Sequence, residues 1–263
     1  MATRRVKAAT PEVCVAADAE SVAKAVRDEI AHAILAAVGE RGRCDLVLSG
    51  GSTPRRTHEL LAAVELPWDK VHVFFGDERC VPPDHADSNW RMARETLIQR
   101  ARIPDANVHR IAGERDPEDA ASDAENVIQE HFSLRPGEMP RFDVVLLGMG
   151  SDGHTASLFP GTHAMEESTR LVVANHVEKL GAWRVTMTFP LFEAAARVMF
   201  LVVGADKAAM VRSSTVLRPS PSTPPAGRVR PRGGSLVWFV DAAAGAKLPT
   251  HDENGSSDPS TAN

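Results

Sequence analysis

Positive charge is not in excess in this sequence. Its 30 Lys+Arg stand against 35 Asp+Glu, a formal charge of −5. No overall basic field exists to hold nucleic acid or an anionic membrane, so any anionic ligand must be caught locally. Long apolar runs are also missing. Runs such as Val144 to Leu147 and Val198 to Val203 have the length of buried strands and fall far short of a membrane span. The basic opening from Met1 to Lys7 is followed by no apolar core of roughly 7 to 15 residues, so it does not read as a secretory signal. Cysteine is scarce: Cys14, Cys44 and Cys80 are odd in number, far apart and in or beside strand-like stretches. They read as buried thiols in a reducing cytoplasm, not as a disulfide framework or a zinc site. No internal repeat is visible. The ten histidines contain no H-E-x-x-H or comparable spacing, so no metal site is expected.

What is present is the composition of a compact globular protein, 43% hydrophobic and 25% charged over 263 residues. Short apolar runs alternate with longer amphipathic ones, the sequence form of a parallel sheet with crossover helices. The expectation is a single α/β domain over residues 1–248, a doubly wound, Rossmann-like, mostly parallel sheet with helices on both faces and a small subdomain around the later strands. Strands are predicted at Val13 to Ala16, Cys44 to Ser49, Lys70 to Gly76, Val108 to Ile111 and Phe142 to Gly148. Four more follow at Leu171 to Asn175, Arg184 to Phe189, Arg197 to Val203 and Leu236 to Val240. Asp18 caps a helix to about Gly39, Pro54 to Ala63 is helical, Ser88 caps a helix to about Arg100, and Asp116-Pro117 starts one reaching Phe132. Shorter helices are predicted at Leu191 to Ala195, Ala205 to Val211 and Ala242 to Lys247. Arg218 to Gly234 holds five prolines and four arginines and reads as a flexible surface loop, and the polar stretch 249–263 as a disordered tail.

Ligands of an open parallel sheet bind beyond the carboxyl ends of its strands, and three of the loops there are unusual. Gly50-Gly51-Ser52-Thr53-Pro54 puts two glycines and two hydroxyls before a helix with proline in its first turn. Glycines admit an anion close to the backbone, and the helix start meets it with free N–H groups, which makes a phosphate cradle; an ordinary capped turn is the bland alternative. No Gly-Lys-Ser/Thr follows, so this is not a Walker loop. Gly76-Asp77-Glu78-Arg79 sets three charges at the end of a strand of hydrophobes, where an acid or a guanidinium can orient a substrate or meet developing charge; a solvated turn would look the same. Gly148-Met149-Gly150-Ser151-Asp152-Gly153-His154-Thr155 formally contains G-x-G-x-x-G. Pro160 cuts short any long helix after it, and no acidic residue ends a second strand about twenty residues on, so it is a weak dinucleotide fingerprint. Its distinctive pair is His154 with Asp152, an imidazole suited to base chemistry beside a carboxylate that can fix its tautomer.

Taken together, Ser49-Gly-Gly-Ser-Thr-Pro54, Phe75-Gly-Asp-Glu-Arg79 with Val81-Pro82 and Ser88-Asn89, and Gly148 through Pro160 resemble the 6-phosphogluconolactonases. Arg184-Val-Thr-Met-Thr188, Gly204-Ala-Asp-Lys207 and Trp238-Phe-Val-Asp241 extend the resemblance from about Ala16 to Ala244. The glucosamine-6-phosphate deaminases of the same superfamily are similar in the phosphate loop and the Asp-Gly-His element. They carry a tyrosine where Arg79 stands and a glutamate where this chain has Phe159.

The resemblance implies hydrolysis of 6-phospho-D-glucono-1,5-lactone, with His154 as general base, Asp152 positioning it, and Asp77 and Arg79 at the reacting end. Gly50, Gly51, Ser52 and Thr53, with Arg184 and Lys207, would hold the 6-phosphate. No cofactor is implied. The partner would be a small sugar-phosphate lactone, without nucleic acid or membrane, on a monomer or weak homo-oligomer in the cytoplasm. An amino-sugar-phosphate deaminase and a non-catalytic sugar-phosphate sensor are the alternatives. The stretch 218–234 departs from the family, whose turn there is usually shorter.

Overall fold

In the computed structural model, which describes residues 4–6, 11–216 and 219–249, the apolar runs become strands. They are Arg4–Val6 (β1), Glu12–Ala16 (β2), Cys44–Leu48 (β3), Val71–Phe75 (β4), Asp77–Arg79 (β5), Val108–His109 (β6) and Val144–Gly148 (β7). Val172–Val177 (β8), Ala182–Met187 (β9), Arg197–Val202 (β10) and Ser235–Asp241 (β11) complete the set. The helices are Ala19–Arg41 (α1), Ser52–Leu61 (α2), Asn89–Ala93 (α3), Gln99–Ala101 (α4), Pro117–Phe132 (α5), Phe189–Ala194 (α6), Ala208–Ser214 (α7) and Pro225–Arg228 (α8).

The main sheet has the order β1-β2-β11-β10-β7-β3-β4-β6, parallel throughout except for β1 at its edge. Every residue of β3 is buried, as expected of a strand covered on both faces. From β3 the chain steps through α2 to β4 and on to β6, then returns through α5 to β7 on the other side of β3. Right-handed crossovers running in opposite directions put their helices on opposite faces. Accordingly α1 buries Val22, Val26, Ile30 and Ile34, while α5 brings Phe132 against Phe74 and Phe142. A second, antiparallel sheet, β5-β9-β8, lies beside α5. The expected doubly wound α/β architecture is present. Among the described residues, no helix is long and apolar enough to cross a membrane.

The local signals act as their chemistry requires. Asp18 accepts the Ser21 N–H at 2.8 Å, and Asp116 takes the N–H groups of Glu118 and Asp119 ahead of Pro117. Helix α1 runs through Gly39 and ends only at Gly42, whose φ of +78° lets its N–H close on Val38.

Four expectations are corrected. Asp77 to Arg79, taken as a loop, is β5, because its backbone pairs with β9. Helix α2 starts at Ser52, two residues before Pro54. Ala242 to Lys247 forms turns instead of a helix, anchored by Asp241, which accepts from Ala244 and Gly204 N–H. The Pro/Arg-rich stretch is not wholly a surface loop. It contains α8, and Ala226 and Val229 are fully buried. The tail 249–263 lies outside the described residues apart from Pro249.

Candidate active site

The chain changes direction across the sheet between β3 and β7, and the loops leaving those two strands part to open a cleft of about 270 Å³. One wall is Ser49 to Pro54. Helix α2 opens on Gly51, with φ at +107° and no side chain bonded to its end. The first-turn N–H groups are therefore left for a ligand, which favours the phosphate cradle over a capped turn. Gly50 is demanded by a neighbour: a Cβ there would fall 1.8 Å from Asn89 Oδ1.

Asn89 Nδ2 in turn donates to Asp77 O at 2.9 Å and to Asp77 Oδ1 at 3.2 Å. The other oxygen, Asp77 Oδ2, accepts Ser157 Oγ–H at 2.6 Å. Asp77 and Arg79 line the cleft, while Glu78 between them turns away, as alternation on a strand requires. Its buried carboxylate accepts the N–H groups of Arg79, Asn89 and Trp90 and the Ser88 hydroxyl. Burial raises its pKa, with those N–H groups opposing. Glu78 thus secures the start of α3 and places Asn89.

The third wall is Gly148 to Gly150 with His154 and Ala156. Gly150 N–H bonds His154 O, and a Cβ on Gly150 would lie 2.1 Å from the His154 ring, so the loop can fold over only as glycine. His154 Nδ1 lies 2.5 Å from Asp152 Oδ1. An ionised carboxylate only accepts, so Nδ1 carries the proton and the lone pair sits on Nε2. Asp152's other oxygen pairs with Lys179. Burial, and then the cations Lys207, Arg79 and Arg184, lower the His154 pKa to about 4 against the pull of Asp77. At neutral pH it is an uncharged imidazole.

Eight of the ten residues expected at the site line this cleft: Gly50, Gly51, Ser52, Thr53, Asp77, Arg79, His154 and Lys207. Asp152 stands behind His154, on the far side of the ring nitrogen it holds. Arg184 lies outside the lining, directly across from Arg79 in the β5–β9 ladder. Burial and then Arg79 lower its pKa. Among the described residues neither arginine forms an ion pair; Arg79 donates to the Asp87 carbonyl and Arg184 to that of Trp183. Lys207 pairs with Asp206 at 3.1 Å, and with Arg79 it faces Asp77 across the lining of the cleft.

Comparison with known proteins decides the family. The sequence profile described as glucosamine-6-phosphate isomerases/6-phosphogluconolactonase matches residues 17–238. The chain belongs to this family. A 6-phosphogluconolactonase of Nostoc sp. is 46% identical over 215 residues, covering 81% of this chain and 88% of the relative. The 6-phosphogluconolactonase structure from Trypanosoma cruzi superposes with a TM-score of 0.83 at 28% identity, covering 93% of this chain and 99% of that one. A monomeric glucosamine-6-phosphate deaminase, at 19% identity and a TM-score of 0.74 over 89% and 99% of the two chains, shares the fold alone.

Phe159 stands where the resemblance sets the lactonases apart from the deaminases. The Phe159 ring is buried and stacked on the imidazole of His154. Sequence reasoning missed Ser157 and Lys179, and it noted Asn89 without a role. All three act through partners distant in sequence: Ser157 and Asn89 on Asp77, Lys179 on Asp152. The only local trace was Ser88-Asn89, a helix cap with an amide behind it.

Proposed function

We infer that this chain hydrolyses 6-phospho-D-glucono-1,5-lactone to 6-phosphogluconate, the lactone-opening step of the pentose phosphate pathway. One observation carries the reading: a neutral His154, its Nδ1–H held by Asp152, shares a cleft with Asp77, Arg79 and the uncapped start of α2. Family membership supports the same chemistry.

His154 Nε2 takes a proton from water as the water oxygen bonds to the lactone carbonyl carbon. The carbonyl π pair moves onto oxygen, and the Arg79 guanidinium stabilises that oxyanion. Collapse re-forms the carbonyl and breaks the ring ester bond. The ring oxygen leaves as a hydroxyl, taking the proton from the His154 imidazolium. Asp152 holds the tautomer and meets the transient positive charge. Asp77, fixed by Ser157 and Asn89, orients the sugar. The 6-phosphate sits on the Gly50 to Thr53 turn with Lys207, and Arg184 adds charge from behind Arg79. The reaction moves no electrons to an acceptor and needs only a base, a water and charge stabilisation.

The test is lactone hydrolysis corrected for the spontaneous reaction, with ammonia release from glucosamine 6-phosphate measured alongside. Catalysed ring opening without ammonia is expected. Binding of 6-phosphogluconate with an unchanged lactone lifetime would make the chain a sensor, and ammonia release exceeding lactone turnover would make it a deaminase.

A further inference from the structure

Three histidines that no local spacing connects meet on the α5 face of the sheet. His72 lies in β4, His109 ends β6, and His131 comes from the last turn of α5. Strand pairing accounts for two of them: Asp45 pairs His72, Phe74 pairs His109, and side chains two apart on β4 share a face. The helix supplies the third. One nitrogen from each ring lies within 4.8 Å of the other two, and His72 Nδ1 is 3.3 Å from His109 Nε2. Asp45, itself buried, lies with Oδ1 2.7 Å from His131 Nε2.

From this juxtaposition we propose that His72, His109 and His131 form a site for a divalent transition metal ion, with the Asp45 carboxylate as its acidic partner. Imidazole suits zinc, nickel and copper, and three imidazoles with a fourth position left to water match a tetrahedral zinc centre. A carboxylate against a histidine nitrogen is the pairing that orients metal-bound rings. His72 and His109 are half-buried, while the His131 side chain, only 9% exposed, lies on the inner side of the cluster. Arg43 opposes the ion through its contact with Asp45 Oδ2 at 3.3 Å, and the carboxylate offsets it. Ring packing alone is the competing explanation, since Phe74 stacks on His109 at 4.3 Å; it does not require nitrogens from three elements to converge.

The site is structural. It tethers β4, β6 and α5 near the amino end of β4, whereas Asp77 and Arg79 follow that strand's carboxyl end. A bound ion would brace the sheet without touching the substrate cleft.

The experiment uses the full chain freed of metal by a chelator, titrated with Zn²⁺ by calorimetry and with Co²⁺ by visible absorption. One equivalent should bind, with tetrahedral cobalt bands and a rise in Tm. His109→Gln and His131→Gln should each weaken binding by at least about tenfold and abolish the Tm rise. His154→Ala, which removes the histidine in the cleft, should bind as the wild type does. Lactone hydrolysis should persist in the two cluster variants and report that they are folded. Should one fail to fold, His72→Gln replaces it. Absence of zinc binding tighter than about millimolar would overturn the proposal. So would undiminished binding in the folded cluster variants, or loss of binding in His154→Ala.

Discussion

The Phe159 ring lies on the His154 imidazole, centroids 4.0 Å apart and planes 26° from parallel, with Lys179 Nζ 4.6 Å from the Phe159 centroid. The stack is part of the burial that lowers the imidazole's pKa and keeps it neutral. It also fills the place where the resembling deaminases hold a glutamate. Wild-type protein should therefore release no ammonia from glucosamine 6-phosphate, although the sugar can bind through the phosphate turn. Phe159→Glu should not become a deaminase, because Arg79 still stands at the tyrosine position and catalytic groups need placement within about 0.5 Å. It should also lose lactone turnover and stability, since a carboxylate replaces a buried ring beside the base. An ammonia-coupled assay on both proteins, run with lactone hydrolysis, decides it.

Removing the base should act on the transition state. His154→Ala is expected to lower kcat by roughly 10²–10⁴ with KM nearly intact. Asp152→Asn leaves the ring but loses the charge that fixes its tautomer, so kcat should fall by a smaller factor. Turnover of His154→Ala near the wild-type rate removes His154 from the mechanism.

The same base sets the acid limb of the pH profile. Because burial and three cations lower its pKa to about 4, the reactive neutral form persists well below the ordinary histidine range. Corrected lactone hydrolysis should stay flat from pH 7 to about 5 and fall only as pH approaches 4. A half-maximal point near pH 6.5 would mean that the burial of His154 does not control its ionisation.

Gly50 is argued from contact alone. Gly50→Ala would drive its Cβ into Asn89 Oδ1 and push that amide off Asp77. Displacement of a positioning group by about 1 Å can cost about 10² in rate, so kcat/KM should drop on that scale while the fold survives. Asn89→Ala should reproduce the loss, and the double variant should be no worse than either, a non-additivity that steady-state kinetics can read directly. Thr53→Ala and Lys207→Ala should instead raise KM, and an unchanged KM in both would move the phosphate elsewhere.

Much of this site was legible because its chemistry is local. Glycines before a helix, charges after a strand and an Asp-Gly-His turn each announce themselves within a few residues, and strand alternation with amphipathic helices gives the parallel sheet. What stayed hidden depends on pairing at a distance. Asp77 to Arg79 is a strand only because β9 lies beside it, more than a hundred residues later. At Ala242 the local signals do begin a helix, with Asp241 accepting Ala244 N–H as a cap and Gly245 N–H closing on Asp241 O, but the chain makes only turns beyond that, and a single turn is too short to persist as a helix. The stretch at Pro224 looked solvated by composition, yet Ala226 N–H bonds Gly153 O and Pro224 packs where a Gly153 Cβ would stand. Its prolines pre-set that turn against the catalytic loop.

The last prediction concerns His58, in the last turn of α2. It is fully buried, and neither ring nitrogen has a hydrogen-bond partner among the described residues. Burial, then the Arg55 cation, lowers its pKa from 6.5 to about 4. The folded state therefore refuses a proton that the unfolded chain accepts, so stability present above pH 6.5 is lost as pH falls toward 4. At pH 5 this one group should cost about 2 kcal/mol relative to neutral pH. His72, His109 and His154 are lowered in the same direction, so the wild-type curve alone cannot isolate His58. Urea unfolding of wild type and His58→Leu at pH 7 and pH 5 does: the variant should lose about 2 kcal/mol less between the two. The effect reaches function if α2 carries the proposed phosphate turn at its start, and substrate binding N but not U should restore part of the lost stability. Identical pH dependence in both proteins would show that His58 protonates freely and that its burial carries no energetic consequence.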